Sequence, residues 1–272
     1  MTGERAMDGL RPYTAVLRIR FQTLLQYRAA AVGGFSTQLF FGLVLVYVFE
    51  AFYRSTTQSQ PMDVAQVVTY VWLGQAFLGM LPWNLDPDVK AMINNGNVAY
   101  ELLRPMDLYA LWYARCLALR TAPTILRAIP MIGVALLFLG MQPPPSLASG
   151  AAWAAATVGA LLLGCAITML LNISMLWTVS GEGVVQVAIT MVMVFSGMLL
   201  PIPLMPGWAQ AALELLPFRG LVDLPFRLYV GHIPPSGVWA VLANQVLWTA
   251  ALVLMGRITL ARGMRRVVVQ GG

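Results

Sequence analysis

One lysine, one histidine and two cysteines occur in the whole chain, and charged side chains of every kind make up only 10% of its 272 residues. Each scarcity removes a class of function. A phosphate-cradling loop that ends in Gly-Lys-Ser or Gly-Lys-Thr needs a lysine in that setting. Lys90 stands between Val89 and Ala91 instead, so the chain has no ATP-hydrolysing loop of its own. Cys116 and Cys165 form no CxxC, and His232 has no histidine partner, so the ligands for a metal site or a disulfide framework are missing. These residues read as core cysteines and an interfacial histidine. There is no HExxH, no GxSxG and no pair of intramembrane carboxylates. Metalloprotease, serine hydrolase and carboxylate proton-relay chemistry therefore lack their residues.

What is abundant is apolar surface: 59% of the residues are hydrophobic and the mean hydropathy is +0.73. A soluble domain of this length could not bury that much. The fold class expected is all-α, a polytopic membrane protein with six transmembrane helices. Crossing the hydrocarbon takes about 20 apolar residues, which places crossings at 29–52, 64–85, 121–141, 151–178, 183–200 and 236–257. Pro143-Pro144-Pro145 separates the third from the fourth. Ser180 is expected to cap the fifth, with Glu182 at its positive end, and Pro201 and Pro203 stop it. The apolar piece from Leu204 to Leu216 is too short to cross, so 204–233 reads as an external re-entrant segment.

The net charge of +6 would suggest nucleic acid in a soluble protein. Here the basic residues gather at the ends of apolar runs, which is a topology signal, and no nucleic-acid partner is expected. Arg5, Arg11, Arg18, Arg20, Arg28, Lys90, Arg104, Arg115, Arg120, Arg257, Arg262, Arg265 and Arg266 fall on one side. Arg54, Arg219 and Arg227 fall on the other. Both termini are thus expected in the cytoplasm of a multi-pass protein of the inner or plasma membrane. The N-terminal segment lacks a signal-peptide core and is expected to be retained. Within 10–28, Tyr13, Leu17, Phe21 and Leu24 share a helical face opposite Arg11, Arg18 and Gln22, the pattern of an interfacial helix. The alternative is a plain extension of the first crossing. Arg127, inside the third crossing, is expected to snorkel to the cytoplasmic interface, the alternative being a bound anionic headgroup.

The connection at 86–108 concentrates polar and charged residues. Asn94-Asn95-Gly96-Asn97 forms a turn, and Val98–Leu103 reads as a short amphipathic helix ended by Arg104-Pro105. The plain alternative is a solvated loop. Three stretches in this order resemble the membrane subunits of type-2 ATP-binding-cassette exporters, in the branch of paired, uncharacterised permeases. They are Gln26-Tyr27-Arg28; Ile93-Asn94-Asn95-Gly96 through Leu102-Leu103-Arg104-Pro105; and Leu200 through Trp208 followed by Leu216-Pro217-Phe218. The resemblance covers nearly the whole chain.

The resemblance implies a permease subunit of an ATP-driven exporter whose pathway is shared with a second, non-identical permease. It implies two copies of an ABC ATPase subunit as partners, with ATP and Mg bound there and no cofactor in this chain. The connection would be the coupling helix, with Asp88, Lys90, Asn94, Asn95, Gly96, Asn97, Glu101 and Arg104 as docking residues. Leu102 and Leu103 would bury against the partner. The path, lined in the family by the first, second and fifth crossings, would draw on Gln38, Tyr70, Gln75, Gln186, Thr190, Met191, Met193 and Met198, each of which also suits ordinary helix packing. The competing functions are an ATP-independent carrier, which would need intramembrane ionisable residues beyond Arg127, and a membrane enzyme or scaffold.

Overall fold

The computed structural model describes residues 2–101, 103–177 and 182–264, with side chains at 2–10, 99 and 182 excluded. The expected Ser180 cap, Leu102, Arg265 and Arg266 lie outside the described residues, as do the side chains of Arg5 and Glu182. Among the described residues all regular structure is helical. In chain order the α-helices are α1 (Thr2–Leu24), α2 (Arg28–Ser55), α3 (Val64–Phe77), α4 (Pro87–Asn94), α5 (Val98–Glu101), α6 (Leu108–Phe138), α7 (Leu147–Ser174), α8 (Glu182–Phe195), α9 (Gly207–Glu214), α10 (Asp223–Tyr229) and α11 (Val238–Met264).

Four of these helices, α2, α6, α7 and α11 with its preceding turn, are long and apolar enough to cross a membrane. Two shorter apolar helices accompany them, Val64–Met80 and Gly183–Phe195. α6 starts well before the expected 121, because the Asp107 carboxylate accepts the Ala110 N–H at 2.8 Å and caps the helix there. Pro123 and Pro130 both lie inside it. α3 begins with a reciprocal cap: Asp63 accepts from the Gln66 N–H while the Gln66 side chain accepts from the Asp63 N–H. Its helical turns end at Met80 rather than running on to 85.

α7 is the most enclosed long helix, packed against α6, α10 and α11. α2 turns Phe40, Phe41, Tyr47 and Val48 outward, and α11 does the same with Trp239 and Leu247. Outward apolar faces on long helices are what hydrocarbon surroundings require. The main core joins α2, α3, α6 and α7 around the fully buried Trp72. Trp72 donates its indole N–H to the Leu139 carbonyl at 3.0 Å, and its ring occupies the space that a side chain at Gly42 would need. Gly42→Ala is therefore expected to lose about 1–3 kcal/mol, seen as a lower melting temperature of the purified chain, whereas Gly33→Ala, in open space on the same helix, does not lower melting and gains helix propensity.

The two parts of 204–233 differ in how far they are enclosed. α9, in the stretch expected to dip inward, leaves Trp208 exposed; the piece that enters the bundle is Leu221–Tyr229, almost every residue of which is buried. Its charges are neutralised internally. Asp223, wholly buried, pairs with Arg227 at 3.1 Å and accepts the Ile202 N–H at 3.3 Å, and its own N–H donates to the Ser196 carbonyl. Arg227 also donates to His232 Nδ1 at 3.2 Å. Burial, and then the Arg227 charge, push the His232 imidazole below its ordinary pKa.

Candidate functional site

The connection between α3 and α6 has a fixed base and a bare tip. At the base, Pro87 starts α4, and the Asp86 carboxylate accepts the Asp88 N–H at 3.0 Å, so the helix opens with a capping acid and a proline in its first turn. Asp86 is 1% exposed. Its Oδ1 meets Arg20 Nη2 of α1 at 2.8 Å, and its backbone N–H donates to Asn172 Oδ1 of α7 at 3.2 Å. Arg20 also pairs with Asp88, and Arg115 of α6 reaches Asp88 at 2.9 Å and Asp86 at 3.9 Å. Two arginines and two aspartates therefore bind α1, α4 and α6 into one knot. The hydrogen bond from Arg20 is the largest cause holding the Asp88 carboxyl below the usual carboxylate range, helped by the charges of Arg20 and Arg115 against partial burial.

A second tie lies beside it. Tyr13 of α1 accepts the Asp107 N–H at 2.8 Å, and Asp107 pairs with Arg257 of α11 at 3.2 Å. The Arg257 guanidinium also stands 5.1 Å from the centre of the Tyr109 ring. Beneath the knot, Val89 and Val98 anchor α4 and α5 in a satellite core with Trp112, Met169 and Leu260.

The tip is made by Gly96, whose φ of +69° suits glycine and closes the turn between α4 and α5. Asn94, Asn95 and Asn97 are exposed around it, with Tyr100 at 69% and Leu103 at 80% exposure. Lys90 and Gly96 are half-buried. The two charges expected to dock together behave differently. Arg104 is largely exposed, whereas Glu101 is 8% exposed and turned back onto Arg104 at 3.5 Å. Asp88 belongs to the knot and not to the tip. Sequence reading missed Tyr100 as a surface residue and missed the partners Arg20, Asp86 and Arg115, which stand 66 and more positions apart for the contacts from α1.

The expected path residues divide in two. Gln38, Tyr70, Gln75 and Met198 are buried inside the bundle, where the Tyr70 hydroxyl donates to the Gly197 carbonyl at 3.1 Å. Gln186, Thr190 and Met191 lie exposed on α8, and Met193 is half-buried. The Thr190 hydroxyl bonds to the Gln186 carbonyl within the helix. The structure thus does not bring all eight together within one chain. Both cysteines are buried and unbridged, and the described residues hold no cluster of metal-ligating side chains.

No curated protein matches the chain, and no solved structure matches it. A family model described as ABC-2 family transporter protein matches residues 39–271, from the middle of α2 to the C-terminal end. Four helices long and apolar enough to cross a membrane, with only helical regular structure among the described residues, are what such a membrane component requires. The chain belongs to the ABC-2 transporter family: it is a multi-pass permease component of an ABC transporter in the cell membrane, of a kind that works with separate ABC ATPase subunits.

Proposed function

We propose that this chain is one permease of an ATP-driven exporter, crosses the membrane six times with both termini in the cytoplasm, and shares its translocation path with a second, non-identical permease. The observation that carries this reading is the contrast at the α4–α5 connection, where a knot of ion pairs holds a tip that leaves Tyr100 and Leu103 bare. A docking element needs both properties: a base stiff enough to transmit displacement, and apolar anchors flanked by polar groups for the partner to bury. Asn94, Asn95, Asn97, Tyr100, Leu103 and Arg104 form the contact surface in this proposal. Asp88 and Glu101 hold it in shape, with Lys90 and Gly96 beneath it.

The two further crossings are the shorter apolar helices. Val64–Met80 is followed by the uncharged residues 81–85, and α8, about 21 Å long at 1.5 Å per residue, is extended by residues 196–200. α2 and α8 expose apolar and small-polar faces that no part of this chain covers among the described residues. A second permease packed there would place Gln186, Thr190 and Met191 opposite their counterparts, while Gln38 and Gln75 lie deeper on the α2–α3 seam.

The test is co-purification. Gentle extraction of the full chain is expected to bring down a P-loop ATPase whose turnover rises in the complex. Recovery of the chain alone, with transport intact after every ABC ATPase of the cell is disabled, would replace this reading with that of an independent carrier.

A further inference from the structure

A cavity of about 450 Å³ opens between α2, the end of α3 and α6, lined by Gln38, Gly79, Trp83, Asn84, Arg120 and Arg127 among others. Two guanidiniums face it, yet no carboxylate among the described residues pairs with either. Arg120 is 2% exposed and is held by neutral groups: Asn84 Oδ1 at 3.0 Å, the Asn84 carbonyl at 2.6 Å and Thr168 Oγ1 at 3.3 Å. Its Nε has no partner, and neither has that of Arg127. Gln38, 3% exposed, lines the same cavity with its Oε1 unpartnered. Arg127 does not extend freely towards water. Its guanidinium lies across α2 at Gly34, where a Cβ would stand 2.6 Å from it. Trp83 closes another wall, its indole N–H spent on the Leu78 carbonyl.

Buried or half-buried cations in an apolar bundle are stabilised by paired anions or by a ligand that supplies the missing charge. We propose that this cavity binds the anionic phosphate ester of an amphiphile, with Arg127 and Arg120 on the phosphate oxygens and Gln38 accepting from a hydroxyl of the same headgroup. Guanidinium forks match phosphate oxygens, and basic pockets between membrane helices take anionic headgroups at the cytoplasmic side. The unpartnered Gln38 oxygen is the second requirement. A phosphodiester that carries no other hydroxyl offers it no donor, whereas a glycerol headgroup does. The inference uses the topology proposed above only to say which leaflet supplies the ligand.

The experiment uses the full-length chain in detergent, without any ATPase, so its outcome is independent of the co-purification. Native mass spectrometry and thermal melting compare phosphatidylglycerol, phosphatidylcholine and soluble glycerol 3-phosphate. The chain is expected to retain phosphatidylglycerol in preference to phosphatidylcholine and to melt higher with it. Arg127→Met is expected to weaken that retention about ten- to a hundredfold, the loss of one charged hydrogen bond, and Arg127→Lys to restore part of it. A melting shift from glycerol 3-phosphate of equal size, lost in Arg127→Met, would support the same chemistry with a soluble source. Should Arg127→Met fold poorly, Gln38→Leu keeps both cations and is expected to reduce the preference for phosphatidylglycerol over its methyl-capped headgroup analogue. Equal retention of both lipids, or retention unchanged in Arg127→Met and Gln38→Leu, would overturn the proposal.

Discussion

Asp86→Ala is expected to cost about 1.5–3 kcal/mol, the loss of charged hydrogen bonds made by a buried carboxylate. Arg20 and Arg115, both largely buried, would be left with the half-exposed Asp88 as their shared carboxylate, and α4 would lose the carboxylate that caps its first turn. The measurement is thermal melting of the purified chain together with limited proteolysis at 25–27, between α1 and α2, where release of α1 exposes the backbone. Asp86→Asn keeps an oxygen for the Asp88 N–H and removes only the charge, so it should fall between the unchanged chain and the alanine variant. The double variant Arg20→Ala with Asp86→Ala should lose less than the sum of the two, because the partners share one interaction. Melting of Asp86→Ala within about 0.5 kcal/mol of the unchanged chain, the range of ordinary surface changes, would mean that the knot does not hold these helices.

The same knot sets a pH dependence through Asp88. Its carboxyl titrates below the ordinary range in the folded chain. Its contribution is therefore fully present above the unfolded carboxylate pKa of about 4 and is lost as pH falls through the depressed folded value. Proteolysis between α1 and α2 should stay slow at neutral pH and rise only under strongly acidic conditions. Half the Asp88 side chain is exposed, so high salt should shrink the effect.

Replacing both Tyr100 and Leu103 by Asp is expected to remove the ATPase from the purified complex while leaving the melting temperature of the permease unchanged. Each buried anchor of an interface is worth about 2 kcal/mol, so the pair should weaken association by more than about a hundredfold. Both residues are exposed, so no internal packing is lost. Reversing the charges at Glu101 and Arg104 together is also expected to uncouple transport. Because Glu101 is buried, that variant disturbs the fold as well; Arg104→Glu with Leu103→Asp separates docking from folding. Normal ATPase recovery and normal export by the Tyr100–Leu103 variant would move the docking surface elsewhere.

The outline of the protein was legible because lipid imposes a length on apolar runs and leaves charge at their ends. Turn residues were legible too: Gly96 in its left-handed turn and the prolines after 142 are local chemistry, whereas the Asp107 cap that starts α6 was not read. Long-range pairing was not. Nothing in the composition of α1 marks Arg20 rather than Arg18 as the partner of Asp86, since both stand on the same amphipathic helix and only the packed geometry selects one. The burial of Leu221–Tyr229 was hidden for a related reason. Asp223 and Arg227 make the stretch look solvated in a hydropathy scan, yet each cancels the other four residues away. Glu101 misled in the opposite sense, because a charged residue in a polar connection reads as surface until the satellite core beneath Val98 is seen to enclose it.

Arg20 gives the short α4 helix and the long N-terminal helix a common hinge pin. Under the proposed topology, a stroke delivered by the motor subunits tilts a rod laid among the lipid headgroups, and each cycle must push the neighbouring leaflet aside. Turnover should then track bilayer fluidity, falling in tightly ordered vesicles even where binding of the motor is undiminished.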